Sequence, residues 1–123
     1  MSRIVMKFGG TSVGSVDRIK NVSNIVQSVY DEGHEVVVVL SAMAGETDRL
    51  INLTKDISND FNKEEYDVVI SSGEQVSVGL LAAALDENGI SAKSCLGWQI
   101  PIITSIDHKS ARIEGIRSDL INK

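Results

Sequence analysis

The sequence predicts an α/β fold, three αβα layers around a mainly parallel, open sheet. Three features carry this reading. An apolar strand over residues 4–8 runs through Gly9 and Gly10 into a helical pattern. That pattern closes at Gly33 and is followed by residues 35–40, which hold four consecutive valines. A continuous β-branched run marks a strand covered on both faces, as in a parallel sheet. Strand, helix and strand in such close succession form a βαβ unit, whose crossover is expected to be right-handed.

The elements follow in order. Ser15 is a plausible N-cap with Asp17 in the first turn, and Val16, Ile19, Val22, Ile25, Val26 and Val29 recur at helical spacing. Gly33 suits the position just past a helix C-terminus. Thr47 reads as the N-cap of a helix carrying Leu50, Ile51, Leu53 or Thr54, and Ile57, with a polar turn over residues 58–63. A further helix starts near Glu64 and carries Tyr66, Val69 and Ile70. Gly73 is expected to interrupt it, because Ser72 and Gln75 have the spacing of a capping box. A new or kinked helix, apolar on most sides and therefore buried, runs to about Asn88 and ends at Gly89. Residues 90–96 form a third strand candidate, 97–99 a turn, 100–104 a short strand, 107–110 a turn and 111–116 an extended segment. Residues 118–123 start like a helix.

Composition narrows the function classes. The chain is 42% hydrophobic, supplied by Val, Ile, Leu and Ala, which is enough for the core of one domain or part of one. A net charge of −5 without a basic run argues against nucleic acid as a partner. No apolar run is long enough to span a bilayer, and no signal peptide is evident, so no membrane partner is expected. A lone Cys95 allows no intrachain disulfide and fits a reducing cytoplasm, where Cys95 reads as a small core residue.

The chemistry concentrates at residues 7–14, Lys-Phe-Gly-Gly-Thr-Ser-Val-Gly. Adjacent glycines bring bare backbone close to a ligand. The helix starting near Ser15 aims unpaired N–H groups and the positive end of its dipole at the turn. That describes an anion site, for phosphate above all. Lys7 adds a full positive charge and Thr11 and Ser12 add neutral donors. The bland alternative is a strand–helix turn that needs glycine and nothing more. The spacing matches neither the Walker loop nor the dinucleotide fingerprint, since here the lysine precedes the glycines. Residues 41–47, Ser-Ala-Met-Ala-Gly-Glu-Thr, form a second small-residue loop at a strand's C-terminal end, the edge where open α/β sheets bind ligands. There Ser41 could simply satisfy a strand end, Thr47 could only cap a helix, and Glu74 is favoured at a helix start by the dipole anyway. His34 and His108 fall in surface turns and carry no assigned chemistry, and without partner spacing no metal site is expected.

Four blocks together resemble the aspartate kinases of the amino-acid kinase family: residues 7–13, Leu-Ser-Ala-Met at 40–43, Ser-Ser-Gly-Glu at 71–74, and the segment from Gly97, Trp98 and Gln99 to Thr104. The resemblance covers residues 4 to about 121 and implies a carbamate kinase-like sheet. It implies transfer of the γ-phosphoryl of MgATP to the side-chain carboxylate of L-aspartate, giving 4-phospho-L-aspartate, the first step toward lysine, threonine and methionine. By resemblance, Lys7 is catalytic, and Lys7, Gly9, Gly10 and Ser12 bind ATP phosphates, with N–H donors at ~2.8–3.0 Å. Ser41, Thr47 and Glu74 bind the aspartate, Glu74 through its α-ammonium, and Mg²⁺ arrives with the nucleotide. Trp98 either flanks the aspartate pocket or packs in its turn.

Such enzymes continue into a nucleotide-binding half and regulatory ACT domains. The 123 residues correspond to the N-terminal, amino-acid-binding portion, expected to be inactive alone and homo-oligomeric in the full-length enzyme. Strands facing an absent half should expose apolar surface and drive association. Two other readings stay open: a truncated, non-catalytic fragment that binds anions or a partner chain, and another amino-acid or nucleotide kinase of the same fold.

Overall fold

The computed structural model describes residues 1–122 and places β1 (Arg3–Phe8) beside β2 (Glu35–Leu40) as a parallel pair, in register from Arg3↔Glu35 to Phe8↔Leu40. α1 (Val16–Asp31) connects them, giving the expected βαβ unit. Ser15 caps α1, its Oγ accepting from Arg18 N–H at 3.2 Å, and Gly33 follows with φ +89°. The buried side of α1 is Ile19, Val22, Ser23 and Val26, while Val16 and Ile25 are exposed. α2 (Glu46–Ile57) and α3 (Lys63–Glu87) complete the helices. β3 (Ile102–Thr104) and β4 (Ile113–Ile116) form a separate antiparallel hairpin.

Side chains alternate across a strand, and that alternation decides what β1 presents. Met6 and Phe8, with Val36, Val38 and Leu40, join Ile19, Val22 and Val26 of α1 and Leu81 and Leu85 of α3 in one apolar core. Val5, Lys7, Val37 and Val39 share the opposite face. That face is open among the described residues, Val5 being 65% and Val39 46% exposed. The valine run therefore packs on one side, not two, and the second helical layer does not lie within these residues.

α3 departs from the expected pair of helices. It runs unbroken for 25 residues from its Asn62 cap, whose Oδ1 accepts from Glu64 and Glu65 N–H, to Asn88. Ser72 does not cap a helix: its Oγ donates back to the Val69 carbonyl at 2.7 Å. Being continuous, α3 is also long and apolar enough to cross a membrane by length and composition, an 18-residue window of it having mean hydropathy 1.5, contrary to the sequence expectation. It packs instead on α1, α2 and β2. Its buried stripe is Gly73, Ser77, Leu81 and Leu85, one residue in four, while Val68, Val76 and Leu80 are exposed.

Three smaller expectations change. Residues 90–96 form no strand: only Ile90 is buried, and Cys95 is exposed rather than in the core. Thr47 does not cap α2; Gly45, at φ +79°, holds that position. The segment from Ser118 begins as a 3-10 turn, Ser118–Leu120, and residue 123 lies outside the described residues. The hairpin meets α3 through Asp67, whose carboxylate lies 2.7 Å from His108 Nδ1 and accepts from Lys109 N–H at 3.2 Å. His108 thus has a structural partner that its turn position did not suggest.

Val5, Val39, Ile103, Ile106, Ile113 and Trp98 are all solvent-facing. The 123-residue chain by itself is accordingly expected to self-associate. Sedimentation velocity should show species above 13.3 kDa, and a single 13.3 kDa boundary at tens of micromolar would refute this.

Candidate functional site

The C-terminal ends of β1 and β2 lie side by side, so the turns that follow them meet. Ser41 N–H donates to the Phe8 carbonyl and Ala44 N–H to the Gly10 carbonyl, both at 3.1 Å. Gly10 eases this approach: a Cβ there would sit a tight 3.1 Å from the Ala42 carbonyl oxygen. After Gly10 the chain turns through a 3-10 segment, Gly10–Val13, closed by Ser12 N–H donating to the Gly9 carbonyl at 3.1 Å. The N–H groups of Gly9, Gly10 and Thr11 have no partner among the described residues. Three free amides in succession at a strand end are suited to an anion.

A cleft of about 270 Å³ opens beside this turn, lined by Gly10, by residues 41–45, and by Thr47, Asp48 and Glu74. It gathers Ser41 from the loop after β2, Thr47 from the first turn of α2, and Glu74 from α3, some thirty residues further along the chain. Lys7, Gly9 and Ser12 lie outside its lining. Lys7 stands at the end of β1 on the open sheet face, two residues before Gly9, and Trp98, 75% exposed, neither packs in its turn nor lines the cleft. Asp48 is an unanticipated lining residue; its acidic first-turn position was the available signal. Glu46, two residues earlier, is held aside: Arg49 donates to its carboxylate at 2.6 and 3.0 Å, and that hydrogen bond lowers the Glu46 carboxyl from its ordinary value. The cleft thus combines two further carboxylates, a serine and a threonine hydroxyl and small apolar groups. That set suits a small ligand with a positively charged amine. Among the described residues no group of three or more His, Cys, Asp or Glu is placed to hold a metal ion.

α3 reaches the cleft because its first half is small where it faces the loop. A Cβ on Gly73 would stand 2.9 Å from Ala42 Cβ. Gly79, on the same helix, would meet nothing within 4 Å. The two glycines should respond oppositely to alanine. Gly79→Ala is expected to gain about 0.5–1 kcal/mol from helix propensity. At Gly73 the same gain is outweighed by an overpacking cost of about 1–3 kcal/mol, giving net destabilisation. Urea midpoints on the two variants check both signs.

Residues 2–123 match the amino acid kinase family, and the chain belongs to it. Among its relatives are the aspartokinases of Geobacillus stearothermophilus, 50% identical over 123 residues, and Rickettsia felis, 46% identical over 126 residues. Each match takes in 100% of this chain but only 30% and 31% of the respective relatives, so the chain spans about a third of their length. Among solved structures it is similar to the aspartate kinase of Synechocystis, at TM-score 0.77 and 45% identity over 80% of this chain and 17% of that one. It also shares the fold of Escherichia coli aspartokinase III in complex with aspartate and ADP, at TM-score 0.62 and 24% identity over 72% of this chain and 30% of that one. These likenesses bear out the αβα fold class and the kinase family read from the four sequence blocks.

Proposed function

We propose that the full-length protein is an aspartate kinase and that this chain is its amino-acid-binding portion. The observation that carries the reading is the meeting of two features at one sheet edge: the unpartnered amides of residues 9–11, and the cleft that joins Gly10, Ser41, Thr47 and Glu74. Aspartokinase relatives along the whole chain, and an aspartokinase neighbour solved with aspartate and ADP, support it.

Phosphoryl transfer demands positioning and charge stabilisation more than covalent chemistry. MgATP supplies the phosphoryl group and the metal that shields it. The chain's own residues do the rest. Lys7 offsets negative charge gathering on the transferring group, while Gly9 and Gly10 N–H groups and Ser12 Oγ hold its oxygens. Glu74 pairs with the α-ammonium of aspartate, and Ser41 and Thr47 orient its carboxylates. The acceptor carboxylate is thereby directed at the phosphoryl without an acid or base, since it is already ionised at neutral pH.

Substrate profiling tests the proposal. The full-length protein should release ADP in the presence of aspartate and far more slowly with glutamate or carbamate. Equal or faster turnover with carbamate would assign another member of the fold, and ATP binding without turnover on any of the three would assign a non-catalytic role.

A further inference from the structure

We propose that Ser77 is a positioning residue for the acceptor site, fixing the loop that bears Ser41 against the helix that bears Glu74. The inference rests on the functional reading above only in what the acceptor is. Ser77 is fully buried on α3. Its Oγ lies 2.8 Å from the Ser41 carbonyl oxygen and 3.1 Å from the Glu74 carbonyl oxygen. One hydroxyl proton faces two acceptors that belong to two residues of the cleft. The Glu74 carbonyl already serves the helix ladder four residues on. The Ser41 carbonyl has no other hydrogen-bond partner among the described residues. The proton therefore belongs on Ser41, where it satisfies a carbonyl that would otherwise be stranded.

The surroundings make this bond directional. One turn earlier Gly73 abuts Ala42, so the loop touches α3 at two successive turns of its buried stripe. Ala42 is itself buried. Gly73 sets how close the loop comes, and Ser77 sets its register along the helix. Glu74 sits between the two and opens into the cleft. A loop free to slide along α3 would change the spacing between Ser41 and Glu74, the two ends of the acceptor's grip. The phosphate turn is tied to the loop by the Ser41 and Ala44 N–H groups, neither of which bonds Ser77, and would be less affected.

The test is steady-state kinetics on the full-length protein, with whichever amino acid the unmodified enzyme turns over. Ser77→Ala is expected to raise KM for that amino acid about tenfold while leaving KM for ATP within twofold. Ser77→Thr keeps the donor and should keep the acceptor KM near normal, even though its added methyl lowers thermal stability in so tight a site. Ser77→Cys, near-isosteric with a weaker donor, should fall between them and provides the measurement if the alanine variant does not fold. Equal rises in both KM values, or a rise that follows loss of stability across the three variants regardless of donor, would overturn the assignment. Failure of the aspartate reading shows separately, as absence of aspartate-dependent turnover in the unmodified enzyme.

Discussion

Replacing Lys7 with alanine in the full-length enzyme is expected to lower kcat by at least about 10²–10³-fold, the usual cost of removing one preorganised group that meets developing charge. KM for the amino acid should change little, because Lys7 lies outside the cleft that would hold it. The residue is well placed for such a role. It is the penultimate residue of β1, on the open face, and its register partner Val39 contributes no competing charge. No carboxylate within ion-pairing distance holds it among the described residues. Lys7→Arg is expected to recover little, since a planar guanidinium does not replace a compact ammonium at a fixed distance. A kcat within a few-fold of normal for Lys7→Ala would remove this lysine from the reaction.

The second large effect is expected at Glu74. Glu74→Gln keeps shape and hydrogen-bonding length but deletes the charge opposed to the acceptor's ammonium. Losing one member of a buried charge pair costs about 2–5 kcal/mol, or roughly 30- to several-thousand-fold in affinity. Here the cleft is open to solvent, which favours the lower end. The expected signature is a rise in KM for aspartate with a much smaller change in kcat, and no change in KM for ATP. Should the two KM values move together, Glu74 would be supporting the fold of the site rather than the substrate. Asp48 lines the same cleft, so some of the attraction for an amine survives in the variant.

What could be read in the sequence was what neighbours along the chain decide. Ser15 at the start of α1, Gly33 past its end and the span of β2 all follow from local rules, and each stands where expected. Gly73 was misread because its reason is not local. It reads as a helix breaker, yet the missing side chain makes room for Ala42, a residue that meets it only in three dimensions. Ser77 escaped notice for the same reason: nothing in a buried serine's flanks says which carbonyl it will satisfy. Residues 90–96 failed as a strand because a strand exists only with a partner, and no described strand lies alongside them. The site followed this division. Ser41, Thr47 and Glu74 sit in short motifs and line one cleft, while Asp48 and Ser77 acquire significance only from the packing of α2 and α3.

The phosphate turn and the acceptor loop are joined main chain to main chain, Ser41 to Phe8 and Ala44 to Gly10, with no side chain in either link. Gly10 apart, such a seam is indifferent to which polar side chains line the cleft. Side chains of the cleft could therefore be exchanged for others, suiting a differently shaped amino acid, while the donor end kept its shape. On the proposed reading, a scaffold made this way separates the choice of what is phosphorylated from the machinery that delivers the phosphoryl group.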